Sequence, residues 1–253
     1  MPRVRSAEDP MTKRPYHAIG CFFLLLFGLV VAGFTPRVPG TPFFGYFSHL
    51  AHFAHVASAI HLHAAAAVAW FVLLSVQPFL IRANRPDLHR VLGWSSVLVV
   101  AVFSMTAVRM MKLTYAESIL QMPRDAALSL LAQSFTALTL FLAFYVLALL
   151  KRRKLHQHVA FLVAASLAVA TPGLARLGLY VIGGLPSILL VIAFIYATLA
   201  GFMLHAKLRW QRPISSSPYL AAIALFVMAH AIDLAGSRTT AWLWLADKIV
   251  SIW

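Results

Sequence analysis

Residues 56–81 read VASAIHLHAAAAVAWFVLLSVQPFLI, a stretch without a single Lys, Arg, Asp or Glu. A helix rises 1.5 Å per residue, so roughly 20 apolar residues cross a hydrocarbon core about 30 Å thick. In hydrocarbon every backbone N–H and C=O must be bonded within the segment, which leaves the helix as the form this stretch takes. The short basic loop that follows, RANRPDLHR at 82–90, turns the chain back.

The same pattern recurs on both sides. Apolar runs at about 17–34, 91–111, 126–150, 158–178, 187–205 and 218–235 are separated by charge clusters or by Pro and Gly breaks. The sequence therefore predicts an all-α polytopic transmembrane helix bundle of about seven spans. It divides into a basic N-terminal segment (1–16), a single transmembrane domain (17–240) and a tail (241–253). The tail, AWLWLADKIVSIW, is too short to cross, and its Trp spacing suits a helix lying among lipid headgroups. The first run has no small-residue cleavage site in a convincing position and is expected to be kept as a signal anchor.

Composition agrees. Of the 253 residues 61% are hydrophobic and 11% charged, and a mean hydropathy of +0.83 lies outside the range of water-soluble globules. The net charge of +14 does not indicate a nucleic-acid partner, because the 21 Lys and Arg residues sit in short clusters between apolar runs. Fourteen of them fall in segments that are cytoplasmic if the N-terminus is inside: 3–14, 82–90, 151–154 and 207–212. Cytoplasmic loops retain such residues, so the expected orientation is N-in and C-out. The one cysteine, Cys21, excludes an intrachain disulfide and a Cys-based metal site.

Ionisable groups in hydrocarbon are costly and mark function when they occur. Histidine dominates, 11 against 7 acids. On the second span His63, Trp70 and Gln77 are seven residues apart, a step that drifts only about 20°, so they form one inward stripe. The third span opens with HRVLG, where His89 and Gly93 are i, i+4 and the glycine leaves room for a helix or a flat ligand. The fifth opens with HQHVAF and carries His158 and Arg176 on one face. His89 and His158 then fall at one membrane level, and His63, Arg176 and His230 toward the other. Asp233, i+3 from His230, could orient that ring. His49, His52 and His55 could capture Cu or Zn through neutral imidazole.

Each position also has a plainer reading. His89, Arg90, His156 and His158 could contact lipid phosphates beside the basic loops. Arg109 and Lys112 could snorkel, and Gln77 could satisfy a backbone group loosened by Pro78. Ser129, Gln133 and Thr136 could serve as interhelical hydrogen-bonding groups.

The residues of 56–178 resemble a bacterial family of uncharacterised multi-span membrane proteins. Its pattern is a His early in one span and a Gln near that span's end. A basic loop ending in His-Arg-x-x-Gly follows, and later a His-rich start to a span that ends in Arg. Here the matching positions are His63, Gln77, His89, Arg90, Gly93, His156 or His158, and Arg176. The family's aromatic-Met pair is replaced by Val159–Ala160–Phe161, so the later His aligns on either His156 or His158. The resemblance implies the fold, these residues and a bacterial inner-membrane location, and carries no settled activity.

Three functions fit. A weaker similarity to cytochrome b561-like bundles implies b-type haem and electron transfer, with His89 and His158 as one ligand pair and His63 and His230 as the other. His63, Gln77, His158 and Arg176 could instead line a path for a small ion or molecule, which makes the chain a transporter or channel. The third is an accessory or assembly subunit of a membrane complex, packed against a membrane-protein partner or a second copy. The cofactor is then haem b, Cu or Zn, or none, and the one certain partner is the lipid bilayer. Hydrolytic motifs such as HExxH, a Ser–His–Asp order or a phosphate-cradling Gly loop are absent from the sequence.

Overall fold

The computed structural model describes residues 14–36, 46 and 58–252. Among these the protein is all-α: α1 (Arg14–Phe34), α2 (Ser58–Arg82), α3 (Pro86–Ser118), α4 (Arg124–Leu150), α5 (Leu155–Val181), α6 (Gly184–Trp210), α7 (Pro218–Ala235) and α8 (Thr240–Ile252). The first seven are long and apolar enough to cross a membrane, so the chain is a multi-pass integral membrane protein in contact with lipid. The 13-residue α8 is too short to cross.

Local chemistry sets the breaks. Asn84 takes a left-handed φ of 56° in the α2–α3 turn, a conformation Asn tolerates better than most residues. Pro86 then supplies the preset φ of a first helical position. Asp87 sits in the first turn of α3, where a carboxylate favours the helix dipole, and pairs with Arg85 at 3.5 Å. α4 follows Pro123 and α7 begins at Pro218. α3 runs 33 residues, well past the apolar core expected at 91–111, because a helix does not end where hydrophobicity does. Arg109 and Lys112 lie on its exposed side.

The chain forms two compact units, Met1–Gly28 with Ala57–Thr106 and Leu29–Val56 with Ala107–Trp253. In the first, Phe27 of α1 stacks on Phe71 of α2 with centroids 5.6 Å apart, and the His17 ring meets the edge of Phe79. Trp70, Phe71 and Leu74 of α2 are buried. In the second unit α5 packs against α4, α6 and α7. Its alanines at 160, 164, 165 and 170 are fully buried, and side chains this small let neighbouring backbones come close. The end of α1 that belongs to this unit meets α5 where Gly33 faces the backbone of Gly173. A separate apolar cluster joins Met111, Tyr115, Ala127, Leu128, Leu131 and Ala246.

Candidate functional site

In the first unit, polar groups on α2 reach α3 at two places. His63 stacks on Phe103 with ring centroids 4.7 Å apart, and its Nδ1 lies 3.1 Å from Thr106 Oγ1. The Thr106 hydroxyl donates back to the carbonyls of Val102 and Phe103 at 2.8 and 2.9 Å, a common arrangement for Thr within a helix. With its proton so engaged, the Thr106 oxygen accepts from His63 Nδ1–H. That sets the tautomer and leaves His63 Nε2 as the lone-pair nitrogen.

Fourteen residues further along α2, the Gln77 amide spans the first turns of α3. Oriented for hydrogen bonding, it accepts from the Gly93 N–H at 2.9 Å and donates to the His89 carbonyl at 3.2 Å and to His89 Nδ1. His89 Nδ1 is thus an acceptor, and its proton sits on Nε2, the opposite tautomer from His63. Beside Gly93 a Cβ would meet only the Gln77 amide, at 3.9 Å, an ordinary van der Waals distance.

The second unit holds the remaining groups. His158, in the first turn of α5, has Nδ1 2.9 Å from the carbonyl oxygen of Ala148 on α4. A carbonyl can only accept, so Nδ1 carries the proton and Nε2 the lone pair. His156, two residues earlier, points elsewhere: its ring meets the edges of Tyr219 and Trp210 at 5.6 and 6.2 Å, and its buried Nε2 has no partner. The choice between His156 and His158 therefore falls between an aromatic setting and a backbone anchor. His230 Nδ1 is 2.8 Å from the Tyr196 hydroxyl. Asp233, one turn on, has its Oδ1 buried without a partner. The Arg176 guanidinium lies 4.5 Å from the centroid of Phe34 in a cation–π contact.

The structure therefore brings His63, Gln77 and His89 into one unit, and His158, Arg176 and His230 into the other. His49, His52 and His55 lie outside the described residues. Among the described residues no three His, Cys, Asp or Glu side chains are grouped to hold a metal ion. Thr106, Tyr196 and the Ala148 carbonyl were not legible as site groups in the sequence. A Thr or Tyr in an apolar span carries no spacing signal, and every residue has a carbonyl. The fold and these groups define a class, the multi-pass α-helical membrane protein with histidines anchored in its spans. No family model, curated protein or solved structure matches the chain.

Proposed function

We propose that the protein is a membrane-embedded electron carrier whose histidines hold b-type haem, with His158 the leading ligand in the second unit and His63, separately, in the first. The observation that supports this most directly is the His158 Nδ1–H bond to the Ala148 carbonyl. Histidines that ligate iron or zinc through Nε2 characteristically donate the other ring N–H to a carbonyl, carboxylate or water, which fixes the ring and raises its basicity. His63 is held in the same sense by Thr106. The donor chemistry of both residues fits a haem iron, and a bound haem would supply one-electron redox chemistry within the bilayer. The chain's own part is to fix each ring within its own unit and to surround it with apolar helix. His230 and His89 are second choices. His230 leans on a hydroxyl that can donate or accept, and His89 offers Nε2 as an acceptor only after the Gln77 amide turns over. The resemblance and the basic loops support a bacterial inner-membrane location with the N-terminus inside.

The test is the visible spectrum of the detergent-purified chain before and after dithionite. The expected result is a Soret band with sharp α and β bands on reduction, diminished in His158→Ala and His63→Ala and kept in His156→Ala. A colourless protein from haem-replete cells overturns the reading, and the Tyr196–His230 pair then becomes the group to examine for proton movement.

A further inference from the structure

At one end of the second unit, a cleft of about 450 Å³ opens between the α4–α5 turn and the start of α7, lined by Lys151, Gln157, Phe161, Ser217, Leu220 and Ala224 among others. Three features of it point to a ligand. Ser217 is the N-cap residue of α7, with extended backbone (φ −73°, ψ 129°), yet its side chain makes no capping hydrogen bond. An N-cap serine ordinarily accepts from an N–H of the first turn. Here the residue is 8% exposed and its Oγ is buried without any partner. The Gln157 side chain on α5 likewise has a buried, unpartnered Oε1. Both residues line the cleft, and a polar atom buried without a partner is costly until its side chain turns to meet one.

Charge indicates what enters. The α7 N-terminus presents the positive end of an 18-residue helix, a setting that favours an anion, and Lys151 lines the same cleft. The segments at this end carry seven cations, Lys151, Arg152, Arg153, Lys154, Lys207, Arg209 and Arg212, and no acidic residue occurs anywhere between Asp125 and Asp233. Ser215 and Ser216 add two hydroxyl-bearing residues to the wall, and Phe161, Pro218, Leu220, Ala221 and Ala224 make the remainder apolar. Phe161 and Ala224 extend it along the spans, and the six steps from Pro218 to Ala224 cover about 9 Å of helix.

We propose that this cleft binds a phosphate group, held by Lys151, Ser217 Oγ, the Gln157 amide and the α7 N-terminus. The amide presents Nε2–H to a phosphate oxygen after a half-turn about its last torsion. The apolar depth and the basic surroundings favour the phosphodiester or phosphomonoester of an anionic membrane lipid over free phosphate.

The experiment uses the full chain, purified in detergent and stripped of lipid. Binding of phosphatidic acid and phosphatidylglycerol is followed by native mass spectrometry, with diacylglycerol as the same tails without phosphate and inorganic phosphate as the headgroup without tails. The expected result is one tightly bound phospholipid and no diacylglycerol. Affinity should fall about tenfold in Lys151→Gln and in Ser217→Ala, and less than about twofold in Arg153→Gln, which changes the nearby charge without touching the cleft. Inorganic phosphate that binds alone with the same sensitivity to Lys151→Gln and Ser217→Ala also supports the site, with free phosphate as its source. Equal binding of diacylglycerol, an Arg153→Gln loss as large as that of Lys151→Gln, or no stoichiometric binding of any phosphate compound overturns the proposal. Size-exclusion profiles of the variants exclude misfolding as the cause of a loss.

Discussion

A methyl group on Gly33 would overlap the carbonyl oxygen of Gly173, a backbone atom that cannot rotate away. By contrast, a Cβ on Gly28 or Gly201 meets nothing within 4 Å. Gly33→Ala should therefore push two helix backbones apart at a cost of about 1–3 kcal/mol or more. Gly28→Ala and Gly201→Ala should stay within about 1 kcal/mol of the parent, with helix propensity in favour of the alanine. Thermal denaturation of the three variants in detergent checks this, and a Gly33→Ala protein that melts with the parent would sink the account of the crossing. At the same scale the sequence was partly readable. The seven-residue spacing of His63, Trp70 and Gln77 placed them on one stripe, and both polar members reach α3 with Trp70 buried between them. Which ring nitrogen carries the proton was not readable, because Thr106 and the Ala148 carbonyl decide it through tertiary contacts.

Helix α8 shows how a single element can be read correctly in kind and incompletely in role. Its length and its Trp spacing predict a helix that lies in the headgroup region, and a helix from Thr240 to Ile252 is what forms. The docking of one side against α4 comes from the fold. Trp242 Nε1–H donates to the Leu128 carbonyl at 3.1 Å, and the same ring meets the edge of Phe135. Ala246 is fully buried in the cluster with Leu128 and Leu131, and Asp247 pairs with Arg124. That ion pair is half-exposed on both sides and screened by water, so the tryptophan is the anchor. Trp242→Ala should destabilise the protein by about 2 kcal/mol or more through lost packing and an unfilled space. Trp244, 64% exposed two residues on, should tolerate alanine within about 0.5 kcal/mol. Equal melting shifts for the two variants would show that α8 is held by lipid and not by α4.

Over the whole chain, the spans were legible because hydrocarbon thickness imposes one length on every crossing, whereas the helix ends were not. The fifth apolar run, 158–178, sits inside a helix that reaches from Leu155 to Val181, and the sixth, 187–205, inside one from Gly184 to Trp210. The extra turns lie at the polar interface, where a helix persists without help from hydropathy. If each of the seven long apolar helices crosses once, the termini lie on opposite sides and the basic clusters at 82–90, 151–154 and 207–212 share the side of the N-terminus. Translocating such clusters is unfavourable, which argues for N-in and C-out. In a Cys21→Ala background, a membrane-impermeant maleimide should label Gln121→Cys, between α3 and α4, in intact cells. Arg153→Cys, between α4 and α5, should react only after the membrane is opened. The reverse pattern would invert the orientation and put the basic loops outside, against the charge rule. Labelling of both sites from the same side would mean that α4 does not cross, and would break the seven-span reading itself.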